Sequence, residues 1–111
     1  MKTFSDGEMH AMLGTAKTYS LVLLKDGPNA ADVDAQKSVW EHGRRNFGLR
    51  DEGKLVIVLP VMDGSEVCGV GVFAASVEET VEIMAADPGV QAGVFTYEVH
   101  PCMGFPGDAL P

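Results

Sequence analysis

His42 and Asp87 are the residues of this sequence whose types best suit proton-transfer chemistry. A carboxylate that binds one imidazole nitrogen fixes the tautomer of the ring and leaves the other nitrogen free to act as an acid or a base. No serine nucleophile is evident beside them, so acyl transfer is not indicated. The pair predicts proton transfer on a small molecule, with His42 as the acid/base and Asp87 as the residue that orients it.

Each residue also has a structural interpretation that needs no chemistry. Asp87 precedes Pro88, and a residue before proline is biased away from helical backbone angles, so Asp87 is a good place for a helix to end. His42 falls within a predicted helix beside Glu41, where it could be a solvated surface residue. At the level of sequence both interpretations stay open.

The charge of the chain bounds the partners that we expect. The 111 residues carry a formal net charge of −8, and the only basic cluster is Arg44-Arg45. Such a surface repels polyanions, so we expect no nucleic-acid partner and no binding to anionic membranes. The first residues lack the apolar stretch of a signal peptide, and no segment approaches the roughly 20 apolar residues that span a bilayer. We therefore expect a single cytoplasmic domain, with Cys68 and Cys102 as reduced thiols.

Two further patterns bear on cofactors and metals. Gly69-x-Gly71 lies inside a predicted strand and lacks the third glycine of a dinucleotide fingerprint, so a bulge or a close backbone approach is the better interpretation. His100 and Cys102 lie two residues apart and would share one face of a strand, but nothing nearby clearly completes a metal site. We expect neither an organic cofactor nor a metal ion.

The elements that must position His42 and Asp87 follow from hydrophobic periodicity and turn residues. Apolar, β-branched runs predict four strands, and helical spacing predicts two helices. Ser76 is expected to cap the second helix, with Glu79 three residues later completing a capping box. The strands are expected at 18–24, 54–61, 67–75 and 93–99, and the helices at 32–52 and from 77 to about 87.

This order of elements, β-α-β-β-α-β, is that of an α+β, ferredoxin-like fold with a four-stranded antiparallel sheet. The folded domain is expected to span 17–102, between an N-terminal extension at 1–16 and a C-terminal tail at 103–111. In this fold both helices cover the same face of the sheet.

The strands nevertheless carry apolar residues at both their odd and their even positions, and these positions point to opposite faces of the sheet. With strict alternation, Leu55, Ile57 and Leu59 would lie on one face of their strand, and Val56 and Val58 on the other. An uncovered sheet face would expose a large apolar patch to water. We therefore expect a homodimer in which the sheet face of a second copy covers the open face of the first.

The predicted fold also brings His42 and Asp87 together. The two helices run antiparallel, so the start of the second, near Val77, lies opposite the end of the first, near Glu52. Asp87 follows Val77 by ten residues, and His42 precedes Glu52 by ten residues. Because both helices rise by about 1.5 Å per residue, the two side chains are expected at a similar height.

Three segments also carry the pattern of a known family. The first segment is 86–101, ADPGVQAGVFTYEVHP, which contains Ala-Asp-Pro, then Gly-x-Phe-x-Tyr-Glu-Val, then Pro. The other two segments are 42–55, HGRRNFGLRDEGKL, and 59–64, LPVMDG. These segments resemble the YCII-related, or YciI-like, family. The chain departs from the family pattern at three positions. Leu59 stands where a glycine is usual, Gly89 where a large apolar residue is usual, and Cys102 where an aromatic residue is common.

The resemblance implies both a fold and a site. The family is similar to the dimeric α/β-barrel proteins, and the family's proposed active pair corresponds to His42 and Asp87. One branch resembles dehydrochlorinases of chlorinated hydroxyhydroquinones. We therefore expect a cofactor-independent lyase or isomerase acting on a small phenolic or enolisable compound. The alternatives are a non-catalytic small-molecule binding or accessory dimeric protein, and a purely structural dimer.

Four residues are candidates for contact with a bound substrate. Trp40 and Tyr19 could form the walls of a pocket for an aromatic ligand, although core packing is the alternative for both. Pro60 and Pro88 lie in segments that carry the resemblance, and they complete the predicted substrate-binding set.

Overall fold

The computed structural model describes residues 1–111 and has the predicted order of strands and principal helices. All strand pairs are antiparallel, in the order β2-β3-β1-β4, so the prediction of an α+β, ferredoxin-like fold is confirmed. The elements are α1 (Asp6–Leu13), β1 (Lys17–Asp26), α2 (Ala35–Asp51), β2 (Leu55–Pro60), β3 (Val67–Phe73), α3 (Val77–Ala85), α4 (Pro88–Gln91) and β4 (Phe95–Gly104).

The ends of the two long helices follow from local chemistry. After α2, Gly53 adopts the left-handed conformation at φ 77°, which a residue with a side chain rarely adopts. Before α3, the Ser76 side chain accepts the N–H of Glu79, as expected for an N-cap. The expected capping box is incomplete, because the Glu79 carboxylate binds the Lys54 ammonium and not the Ser76 N–H.

α1 forms within the predicted N-terminal extension and lies outside the predicted β-α-β-β-α-β order. Two further elements differ from the prediction. The predicted helix was expected to end near residue 87, but the segment after Asp87 forms the short helix α4, because the Asp87 side chain caps a new helix that begins at Pro88. β4 runs to Gly104 instead of ending at residue 99, because its final residues continue the ladder with β1 as far as the Lys17–Gly104 pair.

The core lies between the helices and one face of the sheet. Alternate residues of β1, namely Ser20, Val22 and Leu24, are buried on this face. α2 contributes Ala35 and α3 contributes Met84 to the same layer, whereas α1 buries no residue. The buried apolar residues are Val22, Leu24, Ala35, Leu55, Phe73, Met84, Val94 and Phe95.

The strict alternation expected for β2 is wrong. Leu55 pairs with Phe73 while Ile57 pairs with Val72, so Val56 is an extra residue in a bulge. A bulge reverses the parity of all residues beyond it, so Leu55 faces the helices whereas Ile57 faces the other way. The opposite sheet face is also apolar, since Leu21, Leu23, Ile57, Leu59, Val70 and Val72 share it.

No helix of the chain combines the length and the apolar character that a membrane-spanning helix needs.

Candidate functional site

His42 and Asp87 meet in a direct hydrogen bond. The distance from His42 Nδ1 to Asp87 Oδ1 is 2.9 Å, and the two side chains are 12% and 1% exposed. α2 supplies the imidazole from its middle, and the junction between α3 and α4 supplies the carboxylate. His42 is therefore not the solvated surface residue of the alternative interpretation, and the expected proximity of the pair is present.

Asp87 uses both of its carboxylate oxygens. Oδ1 binds His42, while Oδ2 accepts the N–H groups of Gly89 at 2.9 Å and of Val90 at 3.2 Å. Burial raises the pKa of Asp87, but the hydrogen bond and charge of His42, with the two N–H groups, lower that pKa by more. The net pKa of Asp87 lies below its ordinary value, so Asp87 is ionised at neutral pH.

Asn46 is the partner of the second imidazole nitrogen. Its Nδ2 lies 3.2 Å from His42 Nε2, one helical turn further along α2. With the amide N–H as the donor, Nε2 accepts and Nδ1–H donates to Asp87, which is one tautomer of the neutral ring. From the sequence, Nε2 was expected to be free. The i, i+4 spacing of His42 and Asn46, which places both on one helix face, is the signal that could have revealed this contact.

Arg45 places a cation beside the carboxylate. Its Nη1 lies 3.7 Å from Asp87 Oδ1 and donates to the Ile83 carbonyl at 2.7 Å. From the sequence, Arg45 was only one half of a small basic cluster. Its guanidinium instead ties α2 to the carbonyl end of α3, where cations are favoured, and so holds the two halves of the site in register.

Gly89 allows an aromatic ring to approach the pair. The Phe95 ring centroid is 4.8 Å from that of His42. A Cβ at position 89 would lie 2.5 Å from Phe95 Cδ2 and 3.1 Å from Asp87 Oδ2. Glycine at position 89 thus has a steric reason, because Phe95 occupies the space that a larger side chain would need.

A cavity of about 300 Å³ adjoins the imidazole on the helix-covered side of the sheet. His42 and Asn46 line it from α2, whereas Gly69 and Gly71 line it from β3. Most of the lining is apolar, so a ligand bound here would be largely desolvated. The other lining residues are Val22, Leu24, Val39, Gly43, Phe47, Leu55, Val58, Pro60, Cys68, Val70, Phe73, Met84 and Phe95.

Of the four predicted substrate-binding residues, Pro60 alone lines this cavity. Trp40 is 70% exposed, because two residues along a helix turn its side chain about 200° away from His42. Tyr19 neighbours the buried Ser20 on β1 and so lies on the opposite face of the sheet. Pro88 begins α4 and does not line the cavity. Trp40, Tyr19 and Pro88 therefore do not line the cavity beside the imidazole.

Cys68 lines the cavity as a protonated thiol. Its Sγ donates to Asp26 Oδ1 at 3.1 Å. Burial, together with the hydrogen bond and charge of Asp26, raises the pKa of Cys68 to about 11. A thiol with that pKa is a poor nucleophile at neutral pH. The other thiol, Cys102, pairs with Tyr19 in the β1–β4 ladder, and no group of three metal-ligating side chains forms around it.

No protein-family model and no curated protein matches the chain. Among solved structures, it is similar to 5-chloro-2-hydroxyhydroquinone dehydrochlorinase from Burkholderia phenoliruptrix AC1100 in complex with 2,5-dihydroxybenzoquinone. The TM-score is 0.54 and the identity 18%, over 74% of this chain and 90% of that chain. A second likeness is to protein Atu4242 from Agrobacterium tumefaciens, with a TM-score of 0.42 and 17% identity, over 82% of this chain and 94% of that chain. The first likeness shows that the two proteins share a fold.

Proposed function

We propose that this chain is a YCII-type, cofactor-independent enzyme that transfers a proton on a small phenolic or enolisable compound. The observation that carries the proposal is the 2.9 Å contact between His42 Nδ1 and Asp87 Oδ1 at the edge of an apolar cavity of about 300 Å³. An ionised carboxylate stabilises the imidazolium that forms when His42 takes up a proton. Positioning by Asp87 and desolvation by the cavity make His42 Nε2 the acid/base atom.

The steps follow from the hydrogen bonds around the imidazole. A substrate hydroxyl displaces the Asn46 amide from Nε2 and gives its proton to that nitrogen. The imidazolium then returns the proton to a ring carbon, which converts the enol or phenol into its keto tautomer. In a chlorinated compound such a tautomer can lose chloride from carbon and a second proton to solvent, which together amount to loss of HCl.

The fold neighbour supports a first compound to test. Its name gives 5-chloro-2-hydroxyhydroquinone as the compound that it dehydrochlorinates. Incubation of this compound with the chain should release chloride. His42→Gln should reduce the rate by about 100-fold or more, the usual contribution of a general acid/base group. His10→Gln, at an exposed histidine of α1, is the matched control and should keep the wild-type rate. Equal rates for His42→Gln and wild type would remove His42 from the chemistry.

The second candidate is a non-catalytic binding or accessory protein with the same cavity. The Asn46 contact at 3.2 Å favours it, because both imidazole nitrogens then have partners within the protein. Under this alternative, ligands bind in the cavity while no chloride is released and no carbon-bound proton exchanges.

We further propose that the protein is a homodimer through its open sheet faces. The apolar side chains of the face opposite α2 and α3 support this arrangement, because these two helices lie on the other side of the sheet. Burial of this face against a second copy would remove it from water.

A further inference from the structure

The cavity beside His42 has glycine on both of its walls. Gly69 and Gly71 lie two residues apart on β3, and both are buried on the helix-covered face. Gly43 lines the cavity from α2, directly after His42, and a Cβ added there would meet no heavy atom within 4 Å. Because these three residues have no side chains, backbone forms part of both walls of the cavity, which we call the slot. A Cβ at Gly69 would meet the Leu59 carbonyl oxygen at 3.2 Å, and a Cβ at Gly71 would meet the Leu55 side chain at 3.3 Å.

The slot has few polar groups and no charged side chain apart from the titratable imidazole. Among the lining side chains only His42, Asn46 and Cys68 are polar, and none is Lys, Arg, Asp or Glu. The Cys68 thiol already donates to Asp26. The hydrogen bonds available to a ligand therefore come from the imidazole and the amide on adjacent turns of α2. A ligand carboxylate or phosphate would lose its water shell without gaining a fixed cation, which is strongly unfavourable.

The size of the slot sets a second limit. About 300 Å³ lies at the lower end of the range of roughly 300–1,000 Å³ for small-molecule sites. The Phe73 and Phe95 side chains occupy part of the same lining, and they offer aromatic surface to a flat ring. One six-membered ring with small substituents suits this volume.

We infer that the slot selects a flat, uncharged, single-ring compound with a hydroxyl group between His42 and Asn46, and that Gly43, Gly69 and Gly71 set this specificity. The assignment of the hydroxyl to His42 rests on the proposed function. The shape and charge preference rest on the glycines and the lining, and they hold whether or not the protein is a catalyst.

Binding of four probes to the full chain tests the inference, with affinities from calorimetry and positions from amide chemical shifts. The probes are 4-methylphenol, toluene, 4-hydroxybenzoate and 1-naphthol. We expect 4-methylphenol to bind most tightly and to shift the amides of Gly43, Gly69 and Gly71. We expect 4-hydroxybenzoate to bind about 100-fold more weakly, because its carboxylate has no cation. Toluene should bind more weakly than 4-methylphenol because it has no hydroxyl group, and 1-naphthol should bind more weakly because its second ring does not fit the slot.

A pair of matched variants on α2 tests the role of the glycines. Gly43→Leu adds a side chain to the slot, whereas Gly48→Leu adds the same group at an exposed position that also has no heavy atom within 4 Å. We expect Gly43→Leu to weaken 4-methylphenol binding at least about tenfold and Gly48→Leu to leave it within about twofold of wild type. Far-ultraviolet circular dichroism checks that both variants are folded.

Several results would overturn the inference. These are equal affinity for 4-methylphenol and 4-hydroxybenzoate, unchanged binding in Gly43→Leu, amide shifts away from the three glycines, or no binding of any probe at millimolar concentration. Failure of the proposed function has a different signature. In that case His42→Gln leaves chloride release unchanged, while the probe preference and the effect of Gly43→Leu persist.

Discussion

Asp87 is the residue on which the site depends, because each of its carboxylate oxygens has a separate task. One oxygen orients His42 and the other caps α4 through the N–H groups of Gly89 and Val90. The helix-ending and the chemical interpretations of this residue are therefore compatible. A substitution at this position is expected to affect stability as well as the imidazole.

The lowered pKa of Asp87 gives a stability prediction with a definite sign. The pKa of the Asp87 carboxyl group is lower in the folded state than in the unfolded chain, where it is about 3.9. Ionised Asp87 therefore contributes its full stabilisation at pH values above that unfolded pKa, and the contribution is lost as the pH falls through the folded pKa. Asp87→Asn should therefore lower the free energy of unfolding by about 2 kcal/mol at pH 7, and by less in more acidic solution. Urea denaturation at a series of pH values measures this. Asp51→Asn, at the exposed end of α2, is the control. A deficit for Asp87→Asn that is the same at every pH would contradict the prediction.

The hydrogen bonds of His42 predict its tautomer. With Nδ1–H donating to Asp87 and Nε2 accepting from Asn46, the neutral ring carries its proton on Nδ1. Long-range ¹H–¹⁵N spectra of labelled protein distinguish a protonated from an unprotonated ring nitrogen. We expect Nδ1 to be protonated and Nε2 to be unprotonated in the neutral ring. The opposite assignment would mean that Nε2 is not available as a base.

At the scale of elements, the junction of α3 and α4 is the part of the fold that brings the pair together. The junction is crowded, since Phe95 approaches both His42 and the backbone of Gly89. Arg45 ties the same region to α2 through the Ile83 carbonyl. Small changes in this junction are expected to displace Asp87.

Gly89→Ala tests this crowding. The new Cβ would lie 2.5 Å from Phe95 Cδ2, and relief of such an overlap typically costs about 1–3 kcal/mol of stability. Gly48→Ala is the matched control, because its Cβ meets nothing within 4 Å and alanine favours a helix. We expect urea denaturation to show a loss for Gly89→Ala and no loss for Gly48→Ala. Equal stability of the two variants would mean that the junction adapts freely.

The sequence contained enough information for the order of elements and for the His42–Asp87 pair, since both depend on periodicity and helix geometry. It did not reveal the bulge at Val56, because every residue around it is apolar and alternation cannot show an insertion. It did not reveal α4, because a proline followed by a glycine is typical of loops. The spacing of Asn46 from His42 was visible in the sequence, but the hydrogen bond between them depends on the orientation of both side chains, which the sequence does not show.

At the scale of the whole molecule, the open sheet face predicts self-association. Val72 lies near the middle of this face, paired with Leu21 and Ile57 on its two sides. In a two-fold dimer, one Val72→Lys substitution would bury two unpaired ammonium groups. We expect the dissociation constant of the dimer to rise at least about 100-fold.

Sedimentation velocity at micromolar concentration measures this effect. Val81→Lys, on an exposed position of α3, adds the same charge away from the open face and should leave the dimer intact. A monomeric wild-type protein, or equal association of both variants, would contradict a dimer through the sheet faces.

Exchange of carbon-bound hydrogen with solvent tests the central claim most directly, namely that His42 Nε2, oriented by Asp87, transfers a proton. Resorcinol is an uncharged single-ring phenol whose ring hydrogens exchange through a keto tautomer, and NMR in D₂O follows the loss of their signals. Wild-type protein should accelerate this exchange, and His42→Gln should lose about 100-fold or more of the acceleration. Exchange at the same rate with wild type, with His42→Gln and without protein would contradict the claim.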